Sequence, residues 1–298
     1  MFYEYALDPA VLTEQQHARF FLDALGPWKG RFLADYPKDW YRQVSDTIPK
    51  EHPSRKYVLT RIEEAQKRRI FSMRPGSAYC PDDSWIVNAE KEHIRENFHA
   101  IIAQGEANKP HLLHCATVDE SHPRWKVEQG VLLSRNAGAF ARALRLLLVN
   151  SNAIVLIDPF FNPDEQDKVQ PIVEFSKLIK GKSVPIDIHC SRKIFRHTAD
   201  LRPIAESRLC NALPSGQVVR IFVRSEKRDG DRVHNRYLLT DVCGVQFGDG
   251  IETDRPRRKD RVSILEESSR LELWKQYVTP GREFEQNGPP VLITGKGR

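Results

Sequence analysis

Residues 233–252 read VHNRYLLTDVCGVQFGDGIE, an apolar run broken by polar residues at its start and by glycines at its end. The run over Val233–Thr240 predicts a strand, with Gly244–Phe247 as its hairpin return. Side chains alternate along a strand, so His234 and Arg236, two apart, face the same way. Histidine can attack phosphorus or donate a proton, and a planar guanidinium grips two phosphate oxygens at once, so the pair suits a phosphodiester. Asp241, five residues beyond Arg236, is a candidate to orient a histidine or offset the cation. The bland alternative is that His234, Arg236 and Asp241 form a buried charge network that stabilises the last strand, since clustered ionisable groups are structural as well as functional.

Outward from this stretch, short apolar runs alternate with helical spacing. Strands are predicted at His111–Thr117, Ala153–Asp158, Val184–Cys190 and Gln217–Val223, and helices at Ala137–Val149, Asp167–Gly181 and Pro203–Leu213. That rhythm is the signature of βαβ units, and it predicts an α/β domain with a mixed, largely parallel sheet flanked by helices over residues 106–298. Phe140, Leu144, Leu147 and Leu148 form one helical stripe suited to covering a sheet. A further amphipathic stretch runs from Ile264 to Tyr277.

Residues 1–105 read differently. Leu12, Phe20, Phe21 and Leu25, then Trp40 and Val44, then Tyr57, Ile62 and Ala65, recur at helical spacing between breaks at Gly26-Pro27, Pro37 and Pro49–Pro53. Arg74–Asp83 reads as a linker, and Ile94, Phe98, Ile101 and Ile102 predict another helix over Glu90–Ala103. The expectation is a helical N-terminal module, available to a protein partner.

With 298 residues, 40% of them apolar and 29% charged, the composition is that of globular domains. No apolar run approaches the length of a membrane span. The first ten residues lack a basic region followed by an apolar stretch, so a cytoplasmic location is expected. Five cysteines with no CxxC pair fit neither a disulfide framework nor a zinc ribbon. His111, His114, Cys115 and His122 do not have zinc-ligand spacing, and neither a metal nor another cofactor is expected. The net charge of +6 permits a polyanion partner without requiring one.

Other residues can extend a phosphate site. Asp158-Pro159 follows an apolar strand, where open α/β sheets place ligands, although Asp158 equally suits a turn cap. Arg135 and Asn136 open a helix, as anion binders or as a cap. Arg255, Arg257, Arg258, Lys259 and Arg261 put five basic side chains in seven positions, either along a nucleic-acid backbone or in a solvated loop.

The spacing His234, Arg236, Asp241, then six residues to Gly248-Asp249 with Glu252 three beyond, resembles the phospholipase D superfamily motif: His, any residue, Lys, four residues, Asp, six residues, Gly-Ser, two residues, Asn. Arg236 stands in place of Lys, Asp249 of Ser and Glu252 of Asn. With GVQFGDGI and the upstream LIDPFFNPDEQ, the chain is similar to the degenerate branch represented by the C-terminal domain of microtubule-interacting-and-transport proteins. The resemblance covers about 140 residues. It implies His234, Arg236 and Asp241 as the catalytic set, with Arg236, Gly248, Asp158 and Arg135 around the phosphate. Because such a site needs two motifs and the chain carries one, it also implies a homodimer.

The expected function is therefore phosphate-backbone binding of DNA or RNA by a degenerate phospholipase D-like site, with a bacterial defence or mobile-element system as the setting associated with this architecture. The alternative is a metal-independent phosphodiesterase or nuclease acting through a phosphohistidine at a dimer interface. A third reading, an anionic-membrane or protein-docking module, is disfavoured by the lack of an amphipathic membrane segment.

Overall fold

The computed structural model describes residues 1–105, 107–195, 198–227, 234–253, 258–279 and 283–297. The chain divides into two compact units, Met1–Glu128 and Gln129–Arg298.

The N-terminal unit is an α/β unit, not a helical module, and it extends past residue 105. Its strands are β1 (Tyr3–Leu7), β2 (Arg31–Ala34), β3 (Phe71–Ser72), β4 (Ala100–Ala103) and β5 (Leu112–His114), in the order β3-β2-β1-β4-β5 and all parallel. The predicted helices are present as α1 (Gln15–Ala24), α2 (Trp40–Thr47) and α3 (Arg55–Lys67), but the stretch 90–103 is split. Helix α4 (Trp85–Arg95) ends before it, and Ile101 and Ile102 belong to β4. Ile94, whose spacing suggested a helical apolar face, is 83% exposed.

Both faces of this sheet are covered. Tyr5, Leu7, Leu33, Ala100 and Ile102 pack with Phe21, Trp40 and Trp125, while Ala6, Ala34 and Ile101 pack with Tyr36 and Phe98. Strands buried on two sides carry apolar residues throughout, without alternation, and runs of four or five such residues do not distinguish strand from helix.

Arg74, in the stretch read as a linker, is instead buried. Its Nε donates to Glu92 at 2.9 Å, one Nη donates to Glu4 at 2.6 Å, and its guanidinium lies 3.8 Å over the Phe98 ring. The network ties β1, α4 and the segment after β3 together.

The C-terminal unit contains β6 (Gly130–Ser134), α5 (Ala137–Val149), β7 (Ile154–Ile157), α6 (Gln166–Leu178), β8 (Ile186–Ser191), α7 (Thr198–Leu209), β9 (Val218–Glu226), β10 (Arg236–Thr240), β11 (Gly244–Phe247), β12 (Lys259–Ile264), α8 (Glu267–Tyr277), β13 (Phe284–Gln286) and β14 (Val291–Thr294). They form one mixed sheet in the order β13-β9-β8-β7-β10-β11-β12-β6, with β14 also on β9.

Only β7, β8 and β9 run parallel, joined by the crossover helices α6 and α7. The remaining pairings are antiparallel, so the expected largely parallel sheet is confined to three strands. Phe140 of α5 meets Phe247 edge-on on one face, and Leu273 and Trp274 of α8 pack against Val155, Ile157, Tyr237 and Leu239 on the other. No described helix is long and apolar enough to cross a membrane.

Removing Arg74 takes a buried cation from Glu4 and leaves Glu92 with Arg95 alone. Arg74→Ala is expected to cost about 3–5 kcal/mol of unfolding free energy, read by urea denaturation, and a loss well under about 1 kcal/mol would contradict this role.

Candidate functional site

The site is built by strand register. Tyr237 pairs with Ile157 in the antiparallel β7–β10 ladder, so one step outward Arg236 stands beside Asp158, and His234 beside Phe160. This end of the sheet is where β7, β8 and β9 finish, the position at which open α/β sheets present ligand-binding groups.

A cleft of about 390 Å³ opens there. Pro159, Phe160 and Ile194 give it an apolar wall, and Ser191, Lys193, Glu226, His234 and Asn235 supply polar groups. His234 is exposed, with its ring centroid 6.4 Å from that of Phe160, and it makes no hydrogen bond among the described residues. Lys193 is paired with Glu226 at 3.1 Å, which offsets the one carboxylate in the lining.

Arg236 lies behind this wall. Its guanidinium carbon is 4.7 Å from the Phe160 ring centroid and its Nε is 4.0 Å from Asp158 Oδ1, beyond hydrogen-bond reach. Arg236 Nε and Asp158 Oδ2 are both buried without a hydrogen-bond partner among the described residues. Asp158 is 1% exposed, and burial pushes its carboxyl above the usual carboxylate range. The backbone N–H of Phe160, donating to Asp158 Oδ1 at 3.0 Å, and the charge of Arg236 oppose that shift. Asp158 thus acts both as the turn cap and as the neighbour of Arg236.

Gly250, which sequence reasoning did not single out, shapes this arrangement. Its φ is +101°, and a Cβ placed there would lie 2.7 Å from Arg236 Cδ. Glycine is required both by the backbone and by the close approach of the arginine stem. The GDG run held the signal, since only its second glycine faces the arginine.

The other expected residues are placed elsewhere. Asp241 Oδ1 accepts the N–H groups of Asn152 and Ala153, at 2.9 and 3.1 Å, and so fastens the far end of β10 to the start of β7. Seven residues at about 3.3 Å each put it roughly 20 Å from His234, too far to orient that ring. Arg135 Nη2 donates to Glu252 Oε2 at 3.0 Å, its Nε donates to the Glu252 carbonyl at 3.1 Å, and Asp249 is 3.4 Å away. Its guanidinium is thereby committed to protein carboxylates. Asn136 caps α5 by accepting from Ala139 N at 2.8 Å.

Gly248 N donates to the Arg261 carbonyl, and a Cβ at Gly248 would lie 2.7 Å from Asp260 Oδ1, so this glycine makes room for β12. Arg258, Lys259 and Arg261 are exposed. Lys259 and Arg261 belong to β12, where they alternate with buried Asp260 and Val262. Val262 pairs with Phe247, which meets α5, so Lys259 and Arg261 point to the opposite face from Arg236. Arg255 and Arg257 lie outside the described residues. Among the described residues, no group of three or more His, Cys, Asp or Glu is arranged to hold a metal ion.

His189 of β8 lies beneath the cleft, its carbonyl accepting from Asp158 N at 3.0 Å. Its Nδ1 accepts from Arg224 Nε at 3.3 Å, and burial, reinforced by that cation, pushes its pKa down to about 3.

No family model matches the chain, and no curated protein matches it. Among solved structures, the chain is similar to TrmBL2, an archaeal chromatin protein described as showing a novel mode of DNA binding. The identity is 12%, over 79% of this chain and 84% of that one, with a TM-score of 0.27.

Two outcomes follow from this geometry. Gly250→Ala is expected to destabilise the protein by about 1 kcal/mol more than Gly181→Ala, because both strain the backbone but only Gly250 meets a neighbour within 4 Å. Equal losses in urea denaturation would contradict the packing of Arg236 under Gly250. Because His189 is held neutral, its stabilising contribution is present above pH 6.5 and is lost as pH falls from there toward about 3. The acid-side fall in denaturation midpoint should be shallower in His189→Gln, and identical slopes would refute the assignment.

Proposed function

We propose that the C-terminal unit binds the phosphate backbone of a nucleic acid at the cleft formed by His234, Lys193 and Phe160, with Arg236 as the principal cation. The site is read as a degenerate form of the phospholipase D-like one, serving recognition rather than hydrolysis.

The observation that carries this reading is the state of Arg236. A guanidinium with 20% of its side chain exposed makes no hydrogen bond among the described residues, and its one carboxylate neighbour stands at 4.0 Å. That cation buries its Nε without the bonds that normally offset desolvation. A phosphate oxygen would supply those bonds in charge-assisted form. Arg135, with two carboxylates and a carbonyl as acceptors, has no such vacancy.

Recognition is preferred over phosphohistidine chemistry because His234 has no orienting hydrogen bond and Asp241 is spent at the other end of the strand. A nucleophilic histidine works when a third group fixes its tautomer and direction. Lys259 and Arg261, on the other face, belong to a separate basic surface and are not required for this contact.

The test is anisotropy of labelled DNA and RNA oligonucleotides in EDTA across about 50 to 200 mM salt, where phosphate contacts weaken steeply. Arg236→Ala should weaken binding about ten-fold and lower the salt slope by about one, in keeping with a lost phosphate contact. No binding by the unsubstituted protein at low salt would overturn the proposal. Cleavage that disappears in His234→Ala would replace it with the nuclease reading.

A further inference from the structure

Phe160 is an aromatic side chain that the fold does not bury. It is 36% exposed, at the mouth of the cleft, with Ile194 beside it 37% exposed. Its backbone is pinned from both sides: the N–H donates to Asp158 Oδ1 at 3.0 Å, and the carbonyl accepts from Lys168 Nζ at 2.7 Å. The Arg236 guanidinium approaches its ring to 4.7 Å. The backbone of Phe160 is thus held by two hydrogen bonds and its ring is met by a cation, while the ring still lines the open cleft.

We infer that this cleft takes an unstacked base, so that the nucleic acid the site binds is single-stranded, with one base against Phe160 and Ile194 and its phosphate toward Arg236, His234 and Lys193. The inference rests on the phosphate-binding reading of the same site. In a duplex each base face is covered by its neighbours, so only a single strand, loop or end can offer a π-face to the ring. An exposed aromatic beside cationic groups is the arrangement that single-strand binders use, and stacking of this kind tolerates any base. The cleft volume of about 390 Å³ is on the scale of small-ligand pockets, suited to one flat group rather than a helix. Ser191 Oγ accepts from Lys193 N at 3.2 Å, which leaves the hydroxyl proton to meet a base edge.

The experiment compares three labelled ligands of equal phosphate number at one salt concentration: a single strand, the same strand with abasic sites, and a short duplex. Each is titrated against the full chain and against Phe160→Leu and Arg236→Ala, with folding verified by circular dichroism. The single strand should bind about ten-fold tighter than the abasic strand, a difference of the size expected for one stacked base, and tighter than the duplex. Phe160→Leu, which keeps apolar volume without a π-face, should erase the single-strand preference and leave the salt slope unchanged. Equal affinity for the intact and abasic strands, equal or tighter affinity for the duplex, or a preference that survives Phe160→Leu would overturn the inference while leaving the phosphate reading intact. Binding unaffected by Arg236→Ala would instead sink the phosphate reading.

Discussion

The antiparallel pairing of β10 with β7 sets Arg236 beside Asp158, and the character of the C-terminal unit follows from it. A one-residue slip would turn Arg236 toward Tyr277 and Trp274 of the opposite apolar layer and drive Tyr237 into the cleft side. The register is secured at the other end of the ladder by Asp241, whose carboxylate accepts two backbone N–H groups at the start of β7. Asp241, expected at the site, is thus the clamp that fixes the register of Arg236 against Asp158.

Two kinds of buried charge coexist in the chain, and the contrast supports the reading of Arg236 as the ligand-facing one, although Arg61 and Asp260 also keep a buried atom without a hydrogen-bond partner among the described residues. Arg74 has strong acceptors in Glu4 and Glu92 and a ring beneath it, so its desolvation is offset within the protein. Arg135 is similarly satisfied by Glu252. Arg236 and Asp158 each keep a buried atom without a partner, and Gly250 gives up a side chain to let the arginine lie where it does. Such incompletely satisfied pairs are tolerated where a ligand completes them.

Much of the C-terminal unit was legible in the sequence. Helix α5 coincides with the predicted Ala137–Val149 because a single apolar stripe over thirteen residues leaves no competing period. The cores of β7, β8, β9, β10 and β11 fall within or against the predicted runs, since each is a short apolar stretch between breakers. Strand β12 was hidden because its outward residues, Lys259 and Arg261, made the stretch read as a basic cluster. In the N-terminal unit, β1 and β4 are buried on both faces and lack alternation, and helical spacing across Ile94 and Ile101 bridged a real break at Arg95. For the site, period two predicts a shared face for His234 and Arg236, but β10 begins at Arg236 and the cleft is lined by His234 together with Asn235, while Phe160, Lys193 and Gly250 enter only through register and loop geometry. Asp241 is close to His234 in the motif but lies at the opposite end of β10 in space.

If Arg236 is a cation held ready for a phosphate, its own side chain reports on it most directly. With arginine side chains labelled with ¹⁵N, the Nε–H resonance of Arg236, identified by its loss in Arg236→Lys, should shift progressively as a short phosphodiester oligomer is added at low salt. The Arg135 resonance, engaged by Glu252, should stay in place. An Arg236 resonance that does not move while the oligomer binds would contradict the account.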